Sequence, residues 1–249
     1  MRKWIRRIWL AAGISFVAWL VWNAQAHGVD PALLQSSDAV VVSDSGEVMR
    51  FSPRGASTSS GLIFLPGGGI DPKAYVPLVR AIADAGYPVA LVRLPWRTAP
   101  SASSQARVWD RINSVVSHAP DLRWILSGHS RGAALSARFA GEYPGALAGL
   151  VLIGTTHPKR ASLAAFPGPV TKIYGTHDCV ADSAAVFATA HLLPKHTRWV
   201  RLEGANHWQF GWYGAQLGDC GATISRQEQQ ARTLDVLLAA LGEAGGATK

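Results

Sequence analysis

The sequence is poor in the residues that stabilise small secreted scaffolds or hold metals: it has 2 cysteines and 2 methionines in 249 residues. Two cysteines exclude a disulfide-dense framework. No His-Glu-x-x-His and no paired Cys-x-x-Cys is present, so a zinc site is not expected, and no cofactor of any kind is called for. Charged residues make up only 16% of the chain. Of the 24 lysines and arginines, four (Arg2, Lys3, Arg6 and Arg7) lie in the first seven residues. Without them the balance is only mildly basic, and no basic stripe interleaved with aromatics remains to grip a nucleic acid. There is no internal repeat and no linker long enough to divide the chain. A body of this length and 48% hydrophobic content is expected to fold as one domain with a large core.

The N-terminal charges directly precede Ile8 to Trp22, a run that is apolar except for Gly13 and Ser15. A positive flank before an apolar run reads as a membrane-targeting segment whose basic end stays inside, which places the remainder outside the cytoplasm. Fifteen helical residues span about 22 Å, and Ala24-Gln25-Ala26 has the form of a cleavage site. Trp4, Trp9, Trp19 and Trp22, however, lie where interfacial anchors would, and Arg6 and Arg7 are able to snorkel. The expectation is an uncleaved signal anchor over 1–26, a connector over 27–38 and the main domain over 39–249. Secretion or periplasmic release after cleavage following Ala26 is the alternative.

Beyond the connector, Val40-Val41-Val42 and Val48-Met49-Arg50-Phe51 flank Ser43-Asp44-Ser45-Gly46 as a hairpin would. From there strand-like and helix-like segments alternate. Leu62 to Leu65, Tyr87 to Leu94, Leu122 to Leu126, Leu147 to Ile153, Val170 to Tyr174 and Arg198 to Leu202 read as strands. Helices are predicted over Pro72 to Ala85, Gln105 to Ser117, Arg131 to Glu142, Ala181 to Leu192 and Ser225 to Leu241. Such alternation implies right-handed crossovers and a mostly parallel sheet covered on both faces, with ligands at the carboxyl ends of its strands. The segment from Gly154 to Gly168 is long enough for a small lid and too short for a cap domain.

Gly128-His129-Ser130-Arg131-Gly132 falls between one of these strands and the helix after it. A G-x-S-x-G sequence in that position is a nucleophile elbow, in which a strained turn holds the serine hydroxyl above the sheet. A serine needs a base, and a histidine serves best when a carboxylate fixes its tautomer. Asp178 lies just beyond a later strand, and His207 follows the next one after Gly204. Asp182 reads as a helix cap, and Asp219 falls after the histidine, outside the expected order of serine, acid and base. The N–H of Arg131 and that of Gly68, in the run Gly67-Gly68-Gly69, are the expected oxyanion donors, with Gly69 as the second choice. Pro72 replaces the third glycine of a dinucleotide fingerprint, and no Gly-Lys-Ser/Thr follows.

Phe64-Leu65-Pro66-Gly67-Gly68-Gly69, the elbow, Tyr174-Gly175-Thr176-His177-Asp178, and Gly204 to Gly211 continuing into Trp212-Tyr213-Gly214 together resemble an α/β-hydrolase. More narrowly, they are similar to the small, lidless, dienelactone-hydrolase-related group often found behind an N-terminal hydrophobic segment. The match runs from about Val40 to Leu241. It implies an α/β-hydrolase fold and hydrolysis of a carboxylic ester or thioester through an acyl-enzyme on Ser130. Transfer of the acyl group to another acceptor would use the same residues, and an envelope-bound binding module that keeps the fold without turnover is the alternative from another class. Dienelactone hydrolases use cysteine where this chain has Ser130, so their substrate does not carry over. Pro66 stands where many esterases have histidine.

Gly69, His129, Trp208 and Trp212 are the expected pocket residues, although His129, like His177, is expected to lie near the site with a polar role or none, and Trp96 and Tyr213 add to an apolar site. The aromatic loop after His207 serves equally as a structural cover. Arg93, Arg97 and Arg131 either gather to favour an acidic substrate or are simply solvated. Cys179 and Cys220 lie one after the expected acid and one after the expected base; a disulfide between them and two free thiols are both compatible with the sequence. The expected partners are a small-molecule ester or thioester and, through the N-terminal segment, a membrane.

Overall fold

The computed structural model describes residues 2–55, 58–159 and 162–246. The chain begins with α1 (Arg2–Asn23), then builds an eight-stranded sheet. Its strands are β1 (Val40–Asp44), β2 (Val48–Pro53), β3 (Ser60–Leu65), β4 (Val89–Val92), β5 (Arg123–His129), β6 (Gly149–Ile153), β7 (Val170–Gly175) and β8 (Arg198–Leu202). The spatial order is β1-β2-β4-β3-β5-β6-β7-β8. β1 and β2 are antiparallel to each other and β2 to β4, and every later pairing is parallel.

The remaining helices are α2 (Val76–Asp84), α3 (Ala102–His118), α4 (Arg131–Glu142), α5 (Ser183–Ala188) and α6 (Arg226–Gly246). The alternation predicts the sheet because a parallel strand must be buried on both faces. In β3, Leu62 and Phe64 pack on one face with Val76, Val79 and Leu237, while Ile63 and Leu65 pack on the other with Val108, Ile112 and Ala133. Each such fully buried side chain contributes about 2 kcal/mol from apolar burial. The predicted helix from Pro72 is divided: a 3-10 turn at Pro72–Tyr75 precedes α2, because Asp71 accepts the N–H of Lys73 and starts a tight turn. The predicted helix over Ala181 to Leu192 shortens to α5 and a 3-10 turn at Ala190–Leu192, and Asp182 caps α5 by accepting from Ala185 at 3.0 Å.

The N-terminal helix exceeds the apolar run read from sequence. It has 22 residues, so it is about 33 Å long, enough to cross a bilayer core by length and composition. None of its residues is buried against the body.

Candidate active site

β5 ends at His129, and Ser130 turns the chain into α4 with φ 52° and ψ −111°. That left-handed value at a non-glycine residue is strained and is held by Ser130 N–H donating to Ile153 O at 2.9 Å. The flanking glycines are required. A Cβ at Gly132 would lie 2.1 Å from the carbonyl oxygen of Leu65, and one at Gly128 would lie 2.6 Å from the backbone of Gly132. Ser130 is the N-cap of α4, yet its hydroxyl makes no capping bond, so the side chain is left available.

Asp178 follows β7 and His207 follows β8. Their side chains are buried, and His207 Nδ1 lies 2.8 Å from Asp178 Oδ2. The other oxygen of Asp178 accepts the N–H groups of Val180 at 2.9 Å and Ala181 at 2.6 Å, which fixes the carboxylate against rotation. With Nδ1 donating to that carboxylate, His207 presents a bare Nε2, the form a general base requires. Nε2 is buried and has no hydrogen-bond partner among the described residues. His207 and Ser130 both line a cleft of about 240 Å³ whose walls include Thr155, Thr156, Val180 and Ala181. Ser130 and His207 share the cleft without a hydrogen bond between them. A wider groove of about 540 Å³ continues past Arg131, Ala134 and His157, which border both.

The glycine run divides its donors. Gly67 N–H donates to Tyr75 Oη at 3.0 Å and Gly69 N–H to Arg97 O at 2.9 Å. Gly68 N–H has no partner among the described residues, nor has Arg131 N–H in the first turn of α4. The two residues abut, since a Cβ at Gly68 would lie 3.0 Å from Arg131 Cβ. This arrangement favours Gly68 over Gly69 as a donor.

Of the expected pocket residues, Gly69, His129, Trp208 and Trp212 do not line the cleft of about 240 Å³. His129 is sealed behind the cleft: its Nδ1 is 2.9 Å from Tyr75 Oη, and its ring packs on those of His207 and Phe210. Burial holds its pKa well below the usual histidine value, with the neighbouring His207 acting in the same direction. Trp208 and Trp212 turn away from the cleft and pack against the Arg226 guanidinium, at 4.7 and 5.5 Å from the ring centres. Cation–π contact and the anchoring of Arg226 to Tyr213 O at 2.9 Å make this loop a cover over the sheet. Tyr213 is buried, and Trp96 points outward at 81% exposure. The three arginines do not gather: Arg93 pairs with Asp44, Arg97 with Gln25, and Arg131 donates to Thr98 and Ala99 carbonyls.

One residue was passed over by reasoning on chain order. Asp219 Oδ2 accepts the backbone N–H groups of His207 at 2.9 Å and Trp208 at 3.0 Å, while Oδ1 accepts those of Cys179 at 3.1 Å and Cys220 at 2.9 Å. Cys179 and Cys220 are disulfide-bonded. A second clamp lies behind: Gln229 of α6 accepts Asn206 N–H and donates to Asn206 O. Among the described residues, no three histidine, cysteine, aspartate or glutamate side chains converge as metal ligands would.

The strand order, the elbow and the spacing of the loops are those of one superfamily, and residues 61–231 match the Alpha/beta hydrolase family. The chain belongs to that family. Comparison with curated proteins gives no match. Among solved structures it is similar to an alpha-beta serine hydrolase homologue from Coxiella burnetii, with a TM-score of 0.61 and 17% identity, over 82% of this chain and 98% of that one. It is also similar to a membrane phospholipase A described as a bacterial virulence factor, with a TM-score of 0.59 and 16% identity, over 99% of this chain and 100% of that one. At such identities the likeness is one of fold.

Proposed function

We propose that this chain is a serine-dependent hydrolase of carboxylic esters or thioesters, related to the small lidless dienelactone-hydrolase group and working outside the cytoplasm behind an uncleaved N-terminal anchor. The observation that carries the reading is the shared cleft: a strained, uncapped Ser130 lines the same space as His207, whose Nε2 is unpartnered and whose ring is held by Asp178. In the proposed reaction His207 Nε2 takes the Ser130 proton as Oγ attacks the acyl carbon. The N–H groups of Gly68 and Arg131 receive the oxyanion of the tetrahedral intermediate, which the helix N-terminus at Arg131 also favours. His207 then protonates the departing alcohol or thiol. Water, activated by the same nitrogen, releases the acid and restores Ser130.

The body over 39–249 supplies all of these groups, and 1–26 supplies the anchor. The likeness to a membrane phospholipase A spans 99% of this chain and so reaches into α1, which supports the anchored arrangement. The test is covalent labelling of the full chain with a fluorophosphonate together with hydrolysis of a short soluble acyl ester. Both are expected in the wild type and absent from Ser130→Ala. Labelling that persists in Ser130→Ala, or a wild type that neither labels nor hydrolyses, overturns the proposal. A product that forms only when an alcohol or amine acceptor is added assigns transfer instead.

A further inference from the structure

The end of α1 is not separated from the body by a flexible leash. Asn23, its last residue, accepts the N–H of Gly214 at 2.8 Å, and Ala24 O accepts that of Asp71 at 2.8 Å. Gln25 Oε1 takes the Arg97 guanidinium at 3.2 Å, Ala26 forms an antiparallel bridge with Tyr213, and His27 N–H donates to Trp212 O at 2.7 Å. Every partner lies in a loop that follows β3, β4 or β8. These are the carboxyl-edge loops, the same edge on which Ser130, Asp178 and His207 stand. An extended chain reaches at most about 3.5 Å per residue, so contacts beginning at the final helical residue leave no slack between the membrane surface and this edge.

The exposed apolar side chains follow the same asymmetry. Outside α1, the large ones among the described residues are Trp96, Tyr143, Val180, Phe187 and Leu217. Trp96, Val180 and Leu217 stand on loops after β4, β7 and β8, at the carboxyl edge. Trp96 is 81% exposed and is held at φ 55°. A bulky residue in the left-handed region is strained, and a bare indole in water wastes its apolar face; an interface removes the second cost and accounts for tolerance of the first. Trp22, in the last turn of α1, is 68% exposed, as interfacial tryptophans are.

We infer that the carboxyl edge of the sheet docks on the bilayer through the Trp96 loop, so that the cleft at Ser130 faces the membrane and takes acyl esters of membrane amphiphiles. This substrate class rests on the serine-hydrolase reading and on a retained α1; the docking itself rests only on the contacts of residues 23–27 and the exposed edge.

The experiment reconstitutes the full chain, one copy per lipid nanodisc, with a fluorophore on Trp96→Cys or on Tyr143→Cys at the opposite edge of the sheet. Lipids brominated in the acyl chain are expected to quench the label at 96 at least about threefold more than that at 143. Single occupancy removes a second copy as the source of shielding. In parallel, Trp96→Glu is expected to slow hydrolysis of nanodisc phospholipid by at least about tenfold while leaving a short soluble ester within about twofold. Equal quenching at the two positions, a mature chain lacking its first 26 residues, or a Trp96→Glu variant that affects both substrates alike or neither overturns the inference. If the wild type fails on the soluble ester as well, the serine-hydrolase reading has failed, and the quenching alone then decides the docking.

Discussion

Asp219 holds the backbone N–H of His207 at 2.9 Å while Asp178 holds its imidazole, so two carboxylates from different loops fix one histidine at both ends. The division matters chemically. Asp178 sets the tautomer of the ring, and Asp219 sets where the ring begins. Each Asp219 oxygen accepts two N–H groups, and those groups come from the acid loop, the base loop and the residue next to Asp219 itself.

Removing that hub should loosen the histidine without unfolding the sheet. Asp219→Ala is expected to lower kcat on a short soluble ester by about 100-fold with little change in KM, the cost of misplacing a reacting group by about an ångström. Asp219→Asn, which keeps one carbonyl oxygen, should fall between the two. Steady-state kinetics beside far-ultraviolet circular dichroism tests this; a KM effect alone, or no effect, would remove the positioning role.

The disulfide closes a loop with a sequence separation of 41 residues. The loss of denatured-state entropy on closing such a loop corresponds to about 4 kcal/mol as an upper value. Cys220→Ser should therefore unfold at lower denaturant than the wild type by up to that amount. Reductant should bring the wild type down to the variant and leave the variant unmoved.

At Gly132 there is no room for a methyl group, because the Leu65 and Pro66 carbonyls stand within 2.6 Å of any Cβ. Gly132→Ala must push backbone against backbone and is expected to destabilise by about 2 kcal/mol or more while abolishing ester hydrolysis. Gly145→Ala, with open space around it, should stay within about 0.5 kcal/mol in the same chemical denaturation.

Lys172 of β7 is fully buried, donates to His157 O at 2.8 Å, and has no carboxylate paired with it among the described residues. Burial pushes its pKa down from 10.5 to about 8. Between those two pH values the unfolded chain carries a proton on Lys172 that the folded chain does not, so the contribution of this group to stability should rise with pH from about 8 to about 10.5, by about 3 kcal/mol, while the buried Tyr75 and Tyr213 hydroxyls act the other way above about 10. Below about 8 both states are charged and the full burial penalty is present. Lys172→Met should remove this slope in denaturation curves taken across that range.

What could be read from the sequence was what short-range spacing encodes. The elbow is legible because Gly128 and Gly132 are demanded by contacts within a strand-turn-helix unit, and the sheet is legible because Leu62 to Leu65 must be apolar on both faces. Chain order then points to Asp178 and His207. Asp219 escaped because its partners are backbone amides in loops distant along the chain, and no side-chain type announces them. The sequence left the tryptophans after His207 open between pocket lining and cover, because their contact is with Arg226, on the last helix and distant along the chain. The reach of α1 was underestimated from its apolar run because its basic first turn is helical too.

The clasp between residues 23–27 and 212–214 joins segments far apart in the chain. The first helix leaves the ribosome long before Tyr213 and Gly214, and Gln229, which grips Asn206 from α6, emerges later still. Contacts of such sequence separation cannot form until the later segment has been made. A nascent or C-terminally clipped chain that ends before Gln229 keeps Asp178 and Asp219 on His207 but lacks the clamp that Gln229 places on Asn206, the residue before it.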